Sequence, residues 1–303
     1  MRRSMLHRVF LTVCLLAVPA LSSAQVAPGP SGWLTLFTSD PMADPAVVVD
    51  GPVAERLNWQ ADMPAFPGDR PGSLAVLYRS DLPAARLGWR LADAVDETMD
   101  FVAGAVFVLD GAHFEADPFG FFQVSWGLWN ERRTGLDRTG DFDDPAADTF
   151  ELLEFDYFPN VSPYFGGPWL SPTTFGAADP DNPVFDTLGA FANLTFGSAA
   201  VELPLDTPLI ATLEHRAGMD AVIVRVGRIT PDGGIEPIEG AEVVEPLAWL
   251  SRREYGLDTL GLTLWHDGYT GPTPALDARV IFHGLFFFEG LPITPEEVLD
   301  ALY

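Results

Sequence analysis

The chain predicts an all-β fold, a sandwich of antiparallel sheets, and three observations carry that prediction. Proline and glycine are frequent, 27 and 28 among 303 residues, which leaves few stretches able to sustain a helix. Short apolar runs recur between Pro, Asp and Gly punctuation, many with the alternation of a half-buried strand. With 48% hydrophobic residues and 22 phenylalanines, a chain of this length can fill a core without covalent staples.

Taken in order, Met1 to Arg8 carries Arg2, Arg3 and Arg8, the apolar run Val9 to Leu21 follows, and Ser22-Ser23-Ala24 supplies small residues. That is the layout of a secretory signal cleaved after Ala24, so residues 1–24 read as signal and 25–31 as a flexible leader. The apolar run is well short of the roughly 20 residues of a spanning helix. The expectation is a secreted, periplasmic or extracellular protein without membrane insertion. Cys14, the only cysteine, lies in the signal, so the mature domain has neither disulfide nor thiol chemistry.

Strands are predicted at Gly32 to Thr38, around Leu57-Asn58-Trp59, and at Gly72 to Arg79, Ala85 to Leu91, Phe101 to Leu109, Phe119 to Trp129 and Phe150 to Phe158. A long Pro/Gly loop is read from Pro159 to Asp186. Strands resume at Phe191 to Phe196, Ala199 to Leu203, Leu209 to His215 and Ala221 to Ile229. Asp232-Gly233-Gly234 reads as a hairpin turn, and Leu260 to His266 and Arg279 to Phe288 complete the set. Thr294-Pro295-Glu296-Glu297 has the N-cap threonine, first-turn proline and reciprocal glutamate of a helix start. One domain over 32–292 with a short helical tail over 293–303 is the expected organisation.

The formal charge is −26, with 43 acidic against 17 basic residues and no lysine, and loss of the signal removes three more arginines. Such a charge repels nucleic acid, anionic lipid and polyanionic glycans. Neutral or weakly charged polysaccharide or glycoconjugate, cations and basic proteins remain as partners.

Strand parity defines a candidate surface. Phe122, Val124, Trp126 and Leu128 share one face, while Gln123, Ser125, Gly127 and Trp129 share the other. In the next strand Glu154 and Asp156 share a face, opposite Leu153, Phe155 and Tyr157. If the strands are neighbours, Gln123, Ser125, Glu154 and Asp156 form a polar strip beside Trp129. Sugar rings pack their apolar faces on aromatic rings and pair their hydroxyls with amides and carboxylates. Trp129, Tyr164 and Trp169 would stack, and Gln123, Glu154 and Asp156 would orient the sugar. The structural alternative makes the carboxylates a solvated sheet face and the tryptophans core, as parity already assigns Trp126.

Asp137, Asp141, Asp143, Asp144 and Asp148 form the densest carboxylate run, of a kind that suits calcium, although Pro145 breaks an EF-hand pattern. Asp179, Asp181, Asn182 and Asp186 are a second such group. The alternative for each is an ordinary solvated acidic loop. The histidines are scattered, and His266-Asp267 ends a predicted strand. Asn160-Val-Ser162 and Asn193-Leu-Thr195 match the glycosylation sequon. No nucleophile elbow, phosphate loop or dinucleotide fingerprint occurs.

The stretch Glu151-Leu-Leu-Glu154-Phe-Asp156-Tyr-Phe-Pro159 and the strand rhythm from Gly32 to Glu289 resemble the concanavalin A-like lectin and glucanase superfamily, which includes LamG-like domains. Gly127-Leu-Trp-Asn130 and Glu154-Phe-Asp156-Tyr-Phe-Pro-Asn160 also resemble stretches of a group of exported bacterial proteins. The superfamily resemblance implies a jelly-roll β-sandwich of two antiparallel sheets with a concave carbohydrate-binding face, and makes a structural calcium ion an expectation. In its family 16 glycoside hydrolases a strand carries nucleophile, helper and acid/base carboxylates. Glu154 and Asp156 match the first two, but Phe158 and Pro159 occupy both places for the third. Retaining hydrolysis needs two carboxyl groups about 5–5.5 Å apart with one protonated, so an acid such as Glu131 or Asp267 would have to reach in. The resulting expectation is a secreted, non-catalytic, lectin-like protein. A glycoside hydrolase or lyase of the same fold, with Glu154 and Asp156 catalytic, is the alternative. A structural cell-surface or matrix protein without a small ligand is the third reading.

Overall fold

Alternating side chains give each strand of this protein one buried face, and two sheets with such faces close against each other. The computed structural model describes residues 33–36, 39–64, 71–79, 82, 85–114, 123–131, 151–159, 167–177, 181, 193–264 and 277–290. One sheet holds β1 (Trp33–Leu36), β3 (Leu57–Pro64), β4 (Pro71–Arg79), β6 (Phe101–Phe114), β12 (Pro208–Arg216), β13 (Ala221–Ile229), β14 (Ile235–Pro246) and β16 (Asp277–Glu289). Its order is β14-β13-β12-β6-β16-β4-β3, with β1 also on β16. The second sheet holds β2 (Val47–Asp50), β5 (Ala85–Asp96), β7 (Val124–Trp129), β8 (Leu152–Phe158), β9 (Trp169–Phe175), β10 (Leu194–Phe196), β11 (Ala199–Ala200) and β15 (Gly256–Leu264). Its order is β10-β9-β8-β7-β15-β5-β2, with β11 also on β9. Every pairing is antiparallel, and strands distant in sequence interleave, β6 with β16 and β5 with β15, as in a jelly-roll sandwich.

The core lies between the sheets. Leu74, Val76, Phe107, Leu213, Val280 and Phe282 from the first sheet meet Leu87, Trp126, Leu128, Phe155, Leu260 and Leu262 from the second. Trp126 is buried as parity predicts, stacked 5.2 Å from Phe155, whose ring meets the edge of Phe107 across the sandwich at 6.2 Å. The outer face of the first sheet bears its own apolar cluster of Val102, Val106, Ile210, Ile229 and Phe286. Gly104 is required there, because a Cβ would fall 2.0 Å from the Phe286 ring.

The Asp232-Gly233-Gly234 turn forms as expected and joins β13 to β14, with Gly233 at φ 85° and the Gly233 amide 2.9 Å from the Thr230 carbonyl. Several stretches differ from the sequence reading: β2 (Val47–Asp50) falls where no strand is predicted, and the strand predicted over Ala199 to Leu203 is confined to Ala199–Ala200. β9 lies inside what reads as the loop Pro159 to Asp186, because Pro172 interrupts an otherwise strand-like run. Its partner changes there: Phe196 of β10 pairs with Thr173, and Ala199 of β11 pairs with Leu170. Pro172 thus sits at a break in the ladder where no N–H is needed, and Ser171 Oγ donates to Gly197 O across the break at 2.5 Å. The acidic run of β14 is likewise a full edge strand, its glutamates at 236, 239 and 242 facing water. No helix among the described residues is long and apolar enough to cross a membrane. The signal, the leader and the C-terminal tail expected to be helical lie outside the described residues.

Candidate functional site

Register aligns the outward face of the second sheet into rows. One row is Arg86, Thr263, Ser125, Asp156 and Ser171. The next is Gly88, Gly261, Gly127, Glu154, Thr173 and Phe196, and the third is Arg90, Thr259, Trp129, Leu152, Phe175 and Leu194. β7 and β8 are therefore neighbours, and Gln123, Ser125, Trp129, Glu154 and Asp156 share one face, as parity requires. Gln123 Nε2 donates to Asp156 Oδ1 at 3.1 Å.

This strip is a buried hydrogen-bond network. Asp156 also accepts from Thr173 Oγ1 at 2.5 Å, Glu154 accepts from Thr263 Oγ1, and Ser125 Oγ donates to Thr263 O at 2.8 Å. Tyr78 reaches through from the opposite sheet to donate to Ser125 O at 2.8 Å. Burial, and then the carboxylates of Glu154 and Asp156, hold its hydroxyl pKa well above the usual tyrosine value. Gln123, Ser125, Glu154 and Asp156 have no exposed surface. Trp129 is 1% exposed, and its indole lies over the paired glycines. A Cβ on Gly88 would fall 2.6 Å from its Cη2, and one on Gly261 2.8 Å. The Arg86 guanidinium caps the ring at 5.2 Å from its centre. In this arrangement the strip supports the face and Trp129 fills it.

Accessible surface lies at the margins of that face. Trp169 remains half-buried, paired across β8 and β9 with Phe158, which is half-buried too. Phe196, at the outer end of the Glu154 row, is 63% exposed. Beyond the Trp129 row a cleft of about 430 Å³ opens, and Asp96, Asn130, Arg252, Glu254, Tyr255 and Asp258 take part in its lining. Its walls are fixed. Glu151 accepts from Asn130 Nδ2 at 3.1 Å and from the Gly256 amide at 2.6 Å. Asp258 accepts from the Glu131 amide at 2.8 Å, and Glu131 takes Arg90 in a two-pronged pair at 3.0 Å. That pair raises the Arg90 pKa through the hydrogen bonds first and charge second. Tyr255 is buried, and desolvation lifts its hydroxyl pKa well above the ordinary value.

Asn193 closes the rim. Its Nδ2 donates to Ala177 O at 2.8 Å and to Arg252 O at 2.5 Å, while its Oδ1 accepts from the Ser251 amide at 2.8 Å. A side chain so bound and 1% exposed is no glycan acceptor in the folded chain, whatever its sequon. Neither the cleft nor Phe196 was evident from sequence. Asn130 ends the Gly127-Leu-Trp-Asn130 stretch, but the other lining residues come from β5, β15, the segment just after β9 and the loop before β15, and an isolated phenylalanine reads as core.

Tyr164, the acidic run Asp137, Asp141, Asp143, Asp144 and Asp148, and Asp267 lie outside the described residues, as do Asp179, Asn182, Asp186 and Asn160. Among the described residues no group of three or more His, Cys, Asp or Glu side chains could hold a metal ion.

No protein-family model matches the chain, and no curated protein sequence matches it. Solved structures do show a likeness in fold. An alginate lyase from Aplysia kurodai aligns at 11% identity and TM-score 0.49, over 86% of this chain and 99% of its own. Winged bean acidic lectin in complex with methyl-α-D-galactose aligns at 9% and 0.47, over 86% and 99%. Peanut lectin aligns at 9% and 0.45, over 87% and 99%. The architecture described above rests on the strand pairing itself, not on these likenesses.

Proposed function

We propose that this is an exported, non-catalytic carbohydrate-binding protein that takes a neutral glycan at the open end of the polar face of the second sheet. The cleft of about 430 Å³ carries this reading. Small-molecule sites span roughly 300–1,000 Å³ and combine a shaped wall with a few placed polar groups. Here the amide of Asn130, the guanidinium of Arg252, the carboxylates of Asp96, Glu254 and Asp258 and the apolar body of Tyr255 stand around one opening. That mixture matches a ligand with many hydroxyls and a few apolar faces. The buried network of Gln123, Ser125, Glu154, Asp156, Thr173 and Thr263 fixes the strands beneath it, and the half-buried Trp169 borders the same face. The charge of −26 favours a neutral chain over a polyanionic one.

Binding is preferred to hydrolysis by the Glu154 and Asp156 pair because catalytic carboxylates must touch substrate. Glu154 and Asp156 are fully buried and hydrogen-bonded to Thr263, Gln123 and Thr173, and Glu131 is engaged by Arg90. The test is retention of the purified mature protein on neutral polysaccharides, with and without a calcium chelator, with assay of the same mixtures for released reducing ends. Retention without release is the expected result, and loss of retention with chelator would give the acidic run 137–148 a calcium-binding role. Release of reducing ends would instead establish a hydrolase or lyase. No retention on any glycan would leave a structural surface protein as the better reading.

A further inference from the structure

Along the edge where β10 approaches β14, two aromatic rings stand in water. Phe196 ends β10 at 63% exposure, and Trp249 ends the 3-10 turn Leu247–Trp249 at 77%. Single exposed apolar side chains need no explanation, but tryptophan seldom shows most of its surface. These two are on adjoining elements, with Cα atoms of β10 and of the turn within 8 Å. The backbone beneath them is braced. Leu250 N donates to Leu247 O at 3.0 Å, Asn193 binds the Ser251 amide, and Thr195 Oγ1 donates to Glu245 of β14, joining the two sheet edges. Shortly after Trp249 the chain reaches Arg252, which lines the cleft and whose backbone is bonded by Asn193 just before β10, so this edge adjoins the cleft. Phe196 shares a row with Thr173 and Glu154, at the margin of the polar face.

We infer that Phe196 and Trp249 form an extension of the glycan site that stacks further sugar units of a neutral polysaccharide, making the protein selective for extended chains over single sugars; this rests on the function proposed above. The apolar faces of successive sugar rings match exposed aromatic rings. A second copy of this chain would bring its own charge of −26 to an edge already lined by glutamates.

Calorimetric titration with neutral oligosaccharide ladders, cello-, manno- and laminari-series from disaccharide to hexasaccharide, tests the inference. Affinity should rise at least about tenfold from disaccharide to hexasaccharide. Trp249→Ala and Phe196→Ala should each remove about threefold to tenfold of hexasaccharide affinity, leave the disaccharide within about twofold, and leave the melting temperature unchanged. Equal affinity along the ladder, or equal losses at both lengths, would overturn the inference while leaving the cleft as the site. Conversion of a dimer to a monomer by Trp249→Ala in sedimentation, with ladder binding intact, would overturn it in favour of self-association. Failure of every ladder member to bind would contradict the parent reading as well, an outcome distinct from length-independent binding.

Discussion

Replacing Trp129 by alanine removes an indole that is 1% exposed, lies over Gly88 and Gly261, and carries Arg86 at 5.2 Å. Large aromatic-to-alanine changes in packed sites cost about 3–5 kcal/mol, depending on how far the surroundings collapse. Collapse is limited here, because the floor is two glycines with no side chains to move and the strands are fixed by their ladders. Loss of the Arg86 contact adds about 0.5–2 kcal/mol. The sum lies near 5 kcal/mol, and at roughly 2–4 °C per kcal/mol for a large domain the melting temperature should fall by about 10–20 °C. Circular dichroism melts measure this, with glycan titration carried out well below the variant's transition. The expected outcome is a large thermal loss with glycan affinity within about threefold of wild type. An unchanged melting temperature with abolished binding would show that the ring contacts ligand, and would refute the packing argument.

Gly127→Ala should cost about 1–3 kcal/mol in chemical denaturation, because its Cβ would sit 2.3 Å from Leu153 O and 2.7 Å from Glu154 Cα, which forces β7 from β8. Asn193→Ala should lower stability by about 2–4 kcal/mol, since it strands the Ser251 amide and two carbonyls, and intact-mass analysis after expression in a glycosylating host should find Asn193 unmodified. Burial lowers the His283 pKa to about 4, so the unfolded chain binds the extra proton between that value and about 6.5, and stability is lost as the pH is lowered across the window. From pH 7 to pH 5 this group should account for about 2 kcal/mol of lost stability. His283→Phe should flatten the pH dependence of the melting temperature by that amount, and an unchanged slope would contradict the assignment.

Much of the scaffold was legible because strand parity is local. The separation of Trp126 and Phe155 from Ser125, Glu154 and Asp156 follows from a period of two and needs no knowledge of the rest of the chain. What covers a sheet face is not local. The same alternation that placed Glu154 and Asp156 together gave no sign that Thr263, from the far end of the sequence, and Thr173 would meet them. Trp129 illustrates the limit, since an aromatic on the polar face of its strand reads equally as ligand platform or filler until Gly88 and Gly261 are found beneath it. β9 was hidden by Pro172, whose tolerance depends on the gap between β10 and β11. The cleft was hidden because its walls come from β5, β15, the approach to β15 and the segments just after β7 and β9, brought together only by sheet order.

The most direct test of the account is calorimetry of the mature protein and its Arg252→Ala variant with a neutral glycan that retains the wild type. The Arg252 side chain is 47% exposed and pairs at 2.7 Å with the exposed Glu254, a surface ion pair worth at most about 1 kcal/mol, and the bonds to Asn193 use its backbone, so the variant should keep its melting temperature within a few degrees. Affinity should fall about tenfold, the loss of one hydrogen bond from a charged donor. Unchanged affinity in a variant that folds normally would place the ligand elsewhere and contradict the cleft as its site.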